Sequence, residues 1–129
     1  MDKKISFIGL GAMGGPMATN IIKKGIELFV YDIDENKKNK VVKEGGLALN
    51  NILDAVKDSD IVITMLPATE QVKTVLLGEN GVINNLKKNS LILDMSTISP
   101  KGTDEIAKKC KENELRFIDA PVGRLVSHA

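Results

Sequence analysis

An apolar run over residues 5–9 passes directly into Gly9-Leu10-Gly11-Ala12-Met13-Gly14, and this G-x-G-x-x-G opens an amphipathic stretch over residues 12–24. A strand, a glycine turn and a helix start in that order leave few folds open, because the unit binds an anion with its own backbone. Gly9 allows the tight turn, Gly11 lets backbone approach a pyrophosphate, and Gly14 permits close packing of helix on strand. A lone motif of this kind reads equally well as turn glycines. The flanking strand and helix, together with an acid downstream, select the phosphate-binding reading.

That acid is Asp32, eighteen positions past Gly14 at the end of a second apolar run, near the separation at which a carboxylate reaches the adenosine ribose. A carboxylate there disfavours the 2′-phosphate of NADP. The next residues, Ile33, Asp34 and Glu35, supply no arginine to offset it, so the expected cofactor is NAD(H). The competing reading is that Asp32 caps the following helix, a role the sequence gives more readily to Asp34.

Short apolar runs alternate with longer amphipathic ones along the whole chain, the pattern of parallel strands joined by crossover helices. Strands are expected at residues 5–9, 27–32, 47–48, 61–65, 91–94 and 116–119. Helices are expected at 12–24 and 35–44, ending at Gly25 and Gly45, then after Asn50 to 56, after Thr69 to 77, and over 100–112 behind Ser99-Pro100. The predicted fold class is α/β, a doubly wound, mostly parallel Rossmann sheet of order 3-2-1-4-5-6. No linker, repeat or low-complexity tract divides it, so residues 1–129 read as one dinucleotide-binding domain.

Composition closes off other classes. Eighteen Lys plus Arg against seventeen Asp plus Glu give a net charge of +1, and three Phe, one Tyr and no Trp offer no stacking platform, so no nucleic-acid partner is expected. The longest apolar stretches, 61–67 and 91–95, fall far short of the ~18 residues of a membrane span, and no signal-peptide core is present. One cysteine cannot form an internal disulfide, which points to a cytoplasmic protein. Cys110 falls on the apolar stripe of its helix and reads as a small core residue, while His128 lies next to the last residue. The Lys pairs at 23/24, 37/38, 87/88 and 108/109 read as solvated faces. No Cys/His cluster has metal-ligand spacing.

Residues 7–21, FIGLGAMGGPMATNI, resemble the N-terminal signature of the 3-hydroxyisobutyrate dehydrogenase, or β-hydroxyacid dehydrogenase, family. Met65-Leu66-Pro67, Asp94-Met95-Ser96-Thr97-Ile98-Ser99-Pro100 and Asp119-Ala120-Pro121-Val122 resemble its later motifs, in order. The resemblance implies that Gly9, Leu10, Gly11, Ala12, Met13 and Gly14 cradle the dinucleotide and that Asp32 takes its ribose. Leu66 and Pro67 then line the path to the nicotinamide, Thr97 reaches that side, and Ser96 lies near the substrate's acid group. A hydroxyl pair at a strand's C-terminal end suits a ligand in the sheet's crevice; the competing reading is that Ser96, Thr97 and Ser99 only organise the turn and cap the helix, a role that fits Ser99 better than the other two.

After Pro121-Val122, where most of that family continues Ser-Gly-Gly, this chain has Gly123-Arg124-Leu125. A guanidinium fork suits carboxylate, sulfonate or phosphate, so Gly123 and Arg124 are expected at the substrate, and the variant resembles the family's sulfolactaldehyde reductase-like branch. The resemblance further implies a second, all-helical domain that brings a catalytic lysine and a supporting asparagine. Neither has a counterpart here, so the domain is expected to be truncated at its C-terminal end, with no catalytic residue in this chain and little turnover of its own. The parent would move hydride between NAD(H) and a small anionic 3-hydroxy acid or semialdehyde. The alternative is a non-catalytic NAD(H)-binding module complete at 129 residues. Truncation would leave an apolar surface near 122–126 and favour self-association.

Overall fold

The aliphatic runs become the strands of a single sheet and the amphipathic runs its covering helices; the computed structural model describes residues 3–121. In chain order the elements are β1 (Ile5–Ile8), α1 (Gly14–Lys23), β2 (Phe29–Tyr31), α2 (Glu35–Lys43), β3 (Leu47–Ala48) and α3 (Ile52–Val56). Then come β4 (Ile61–Thr64), α4 (Thr69–Leu77), a 3₁₀ turn (Ile83–Asn85), β5 (Leu91–Asp94), α5 (Pro100–Glu112) and β6 (Arg116–Asp119).

All five strand pairings are parallel, and the order is β3-β2-β1-β4-β5-β6, as the sequence predicts. The chain steps outward from β1 to β3 and then returns to lay β4 on the other side of β1. Strand order therefore reverses between β1 and β4, the switch point at whose C-terminal end sheets of this kind place their ligand crevice.

Successive side chains alternate between two cores. Ile8, Val62 and Ile92 face Val56, Val72, Leu76, Ile106 and Cys110 from the helices on one side; Phe7, Val30 and Ile63 face Ala18 and Val41 on the other. Burial on both faces is why these strands are short and nearly all apolar. Cys110 is 1% exposed and, as expected, is a core residue.

Helix starts show where side-chain chemistry sets boundaries. Asp34 caps α2 by accepting from the Asn36 and Lys37 N–H groups, and Ser99 Oγ caps α5 by accepting from Gly102 N–H. The cap of α3 is Asn51 and not its neighbour Asn50. Only Asn51 has an acid three positions on, and the two interlock, Asp54 N–H donating to Asn51 Oδ1 while Asn51 Nδ2 donates to Asp54 Oδ2. Thr69 is the first residue of α4 and not its cap, because its Oγ1 is turned to accept from Ser99 N–H. Gly25 and Gly45 close α1 and α2 at φ +89° and +111°, the left-handed backbone expected of them. Lys38 departs from the solvated reading of its pair. It is 4% exposed, with Nζ donating to Leu49 O and paired with Glu35, which ties α2 to the turn after β3.

Candidate functional site

The three motif glycines answer three separate constraints. Gly9 has φ +101°, and a Cβ there would lie 2.1 Å from Met65 O, so the turn after β1 rests directly on the backbone leaving β4. A Cβ on Gly14 would lie 1.9 Å from Gly9 O, which fixes α1 against its own loop. At Gly11 a Cβ would meet nothing within 4 Å. Its lack of a side chain leaves free backbone facing open space, the arrangement needed for a phosphate to approach the N–H groups closely.

Neighbouring atoms hold this loop in shape. Gly9 N–H donates to Tyr31 O at 3.0 Å, Leu10 N–H to Asp32 Oδ2 at 2.7 Å, and Gly15 N–H to Gly11 O at 2.9 Å. Whereas α2, α3 and α5 begin on capping side chains, α1 begins at Met13 with no side-chain cap and no acid in its first turn. Gly15 N–H is taken by Gly11 O and Pro16 has none, so in the first turn the Gly14 N–H, with the positive dipole end, is left for an anion, beside the exposed Ala12 and half-buried Met13. An open groove of about 710 Å³ runs from Leu10, Gly11 and Ala12 between α1 and α2, past Lys23, Lys37, Lys40 and Lys43.

Asp32 is half-buried and caps no helix. Its Oδ2 takes Leu10 N–H, and Oδ1 takes Asp34 N–H at 2.8 Å, so one carboxylate joins the glycine loop to the turn after β2. This also explains why β2 ends at Tyr31, one residue before the expected limit. Each oxygen keeps a further lone pair able to accept a ribose hydroxyl. Ile33 beside it is 91% exposed.

On the other side of the crevice, Met65 N–H donates to Ile8 O, ending the β1–β4 ladder. Leu66 is half-buried, Pro67 is exposed, and Leu66 N–H donates to Ser96 Oγ at 2.8 Å. Ser96 is itself fully buried, whereas Thr97 beside it is exposed at the mouth of the sheet. The structure thus brings the glycine loop, Asp32, Leu66, Pro67, Ser96 and Thr97 to one end of the sheet. Gly123, Arg124, His128 and the apolar patch expected over 122–126 lie outside the described residues.

Sequence reasoning gives no role to a fully buried acid here. Asp94, at the end of β5, is 0% exposed; its Oδ1 accepts from Thr64 Oγ1 at 2.9 Å and Ser96 N–H at 3.0 Å, while Oδ2 has no partner among the described residues. Burial raises its pKa above the usual carboxylate range, hydrogen bonds from Ser96 and Thr64 partly offset this, and Asp119, its register partner on β6, adds to the rise. An acid closing an otherwise apolar strand, Leu-Ile-Leu-Asp, is the signal that could have found it.

A parallel sheet in this order, with a glycine turn after β1, an acid after β2 and a crevice between β1 and β4, defines a dinucleotide-binding domain of the doubly wound class. The family model described as the NAD binding domain of 6-phosphogluconate dehydrogenase matches residues 4–128, and the chain belongs to that family. The chain is 40% identical over 121 residues to a protein named probable 3-hydroxyisobutyrate dehydrogenase, mitochondrial, from Dictyostelium discoideum, covering 94% of this chain and 38% of the relative. It is 41% identical over 125 residues to 3-sulfolactaldehyde reductase of Escherichia coli, covering 97% and 42%. The solved structure of Mycobacterium tuberculosis 3-hydroxyisobutyrate dehydrogenase with L-serine superposes with a TM-score of 0.84 at 30% identity, over 94% of this chain and 40% of that one. The chain spans about two fifths of the length of these relatives. Over that length it is an NAD-binding domain.

Proposed function

We propose that this domain holds NAD(H) across the crevice, pyrophosphate on Gly9, Leu10, Gly11, Ala12, Met13 and Gly14, adenosine ribose on Asp32, and nicotinamide toward Leu66, Pro67 and Thr97. The observation that carries the reading is Gly11, whose missing side chain opens space directly at the uncapped start of α1. Asp32 supports NAD(H) over NADP(H), since the 2′-phosphate of the latter would meet a carboxylate already oriented by two N–H donors. When bound, the dinucleotide supplies the hydride chemistry.

The protein to which this domain belongs is an oxidoreductase acting on a small anionic 3-hydroxy acid or the corresponding semialdehyde, of the 3-hydroxyisobutyrate, tartronate semialdehyde or sulfolactaldehyde type. The names of its relatives support that class. Gly123 and Arg124 are assigned to the substrate's anionic group, and Ser96 to the same end of the site through Leu66. No described residue is assigned as the catalytic acid; that group is assigned to the length the relatives have and this chain does not cover. We place residues 1–129 in one domain, in the cytoplasm, and expect self-association through an apolar face. Among the described residues no helix is long and apolar enough to cross a membrane.

The test is a titration of the protein with NADH and with NADPH, followed by NADH oxidation across a panel of small anionic aldehydes by the full-length gene product. Saturable NADH binding that exceeds NADPH binding, with turnover of at least one such aldehyde, is expected. NADH binding with no turnover by the full-length product would favour a non-catalytic module, and no NADH binding would end the reading altogether.

A further inference from the structure

Thr64, Asp94 and Asp119 stand side by side in one register row across the C-terminal ends of β4, β5 and β6. A carboxylate fully buried there, with no donor to one of its oxygens among the described residues, is costly to the fold. An aliphatic residue would close β5 at lower cost, so the contribution of Asp94 lies in what it holds. Its Oδ1 takes the Thr64 hydroxyl and the Ser96 N–H together, bridging β4 to the turn after β5. Ser96 Oγ in turn accepts Leu66 N–H, the first amide beyond the β1–β4 ladder, taking the place a strand carbonyl would otherwise fill. Pro67 follows, restricting Leu66 to extended backbone, so both the position and the direction of the shelf are set.

We propose that Asp94 is a positioning residue for the nicotinamide end of the site, acting through Ser96 to hold the Leu66–Pro67 shelf against the crevice. The proposal rests on the NAD(H) reading above and adds to it a division of labour. The glycine loop and Asp32 bind the adenosine diphosphate part, and the Asp94, Thr64 and Ser96 cluster determines how well the nicotinamide part is received. The cluster touches no dinucleotide atom itself.

ADP-ribose, which lacks the nicotinamide, separates the two halves. Affinities for NADH and ADP-ribose are measured by calorimetry on the wild-type protein and on the Ser96→Ala, Asp94→Ala and Asp94→Asn variants, with NADH emission as a second readout free of tryptophan background. Ser96→Ala releases Leu66 N–H and is expected to weaken NADH about fivefold, with ADP-ribose unchanged within about twofold. Asp94→Ala is expected to shift the same ratio, and Asp94→Asn, which keeps an Oδ1 acceptor for Thr64 and Ser96, to restore it. If Asp94→Ala does not fold, Ser96→Ala and Asp94→Asn still decide. Parallel losses for both ligands, or no change in their ratio in Ser96→Ala, would overturn the positioning role while leaving the NAD(H) reading intact. A wild-type protein that binds neither ligand would overturn that reading and this inference with it.

Discussion

The same substitution at two glycines three residues apart should have opposite effects. In Gly14→Ala the new methyl would sit 1.9 Å from Gly9 O and 2.9 Å from Gly9 C, both backbone atoms, and real β-carbons essentially never come within 3.0 Å. The loop or α1 must move by about 1.1 Å, 3.0 less 1.9, and a buried helix cannot do so without loosening its contacts. Overpacking typically costs about 1–3 kcal/mol, and a backbone clash belongs at the upper end. For a domain of this size that lowers Tm by about 10 °C. Gly11→Ala places its methyl where nothing lies within 4 Å, so the fold loses nothing and the Tm stays within about 3 °C or rises slightly. Its cost falls on binding. Displacing a phosphate from charged hydrogen bonds worth about 1.5–3 kcal/mol weakens NADH by about 10- to 100-fold. Thermal melts and NADH titrations on both variants make the check. Equal destabilisation of the two, or wild-type NADH affinity in Gly11→Ala, would refute the assignment of one glycine to packing and the other to ligand.

Ile33→Arg changes a side chain that is 91% exposed, so it should leave Tm unchanged and raise NADPH affinity about tenfold; comparative titration with the two dinucleotides checks this. Asp32→Ala should weaken NADH and also release Leu10 N–H, and unchanged selectivity for NADH would remove Asp32 from the cofactor argument. The raised pKa of Asp94 means that folding favours its protonated form, so its contribution is fully present below 3.8 and is lost as pH rises through the elevated folded value. Melts of wild type and Asp94→Asn from acid to neutral pH should therefore diverge in favour of the variant as pH rises, and a constant gap would contradict the shift. Burial pushes the Cys110 thiol up to about 11, so a disulfide reagent at neutral pH should react with it only after unfolding.

How much of this was legible in the sequence depends on the range of the interaction concerned. Strand and helix positions follow from apolar runs and nearby punctuation, so β3, β5 and β6 lie at the expected residues, and the order of the sheet follows once β1 is fixed at its centre by the glycine motif. Errors arise where a side chain is claimed by a distant partner. Thr69 reads as a cap, yet Ser99, thirty residues on, takes its hydroxyl; Lys38 reads as solvated, yet Leu49 O draws it in. In each case local pattern states what a residue can do, and the packing of elements far apart in sequence selects among those options.

Asp32 shows the same principle at the site itself. Its spacing from Gly14 suits either a ribose ligand or a helix cap, and along the chain only the better placing of Asp34 speaks against the cap. The fold excludes the cap by bringing Leu10 N–H to one carboxylate oxygen while Asp34, two residues later, takes the start of α2. Freed from capping, Asp32 links the turn after β1 to the turn after β2, so the residue assigned to the ribose also holds the loop assigned to the pyrophosphate. On the far side of the crevice Ser96 does the equivalent for Leu66. Each wall of the crevice is thus held by a side chain from the adjacent strand end, and a loop fixed before binding loses little freedom when a ligand arrives. Rigid walls around an open Gly11 are what a long, flexible dinucleotide requires, because almost all of the ordering on binding then falls on the ligand.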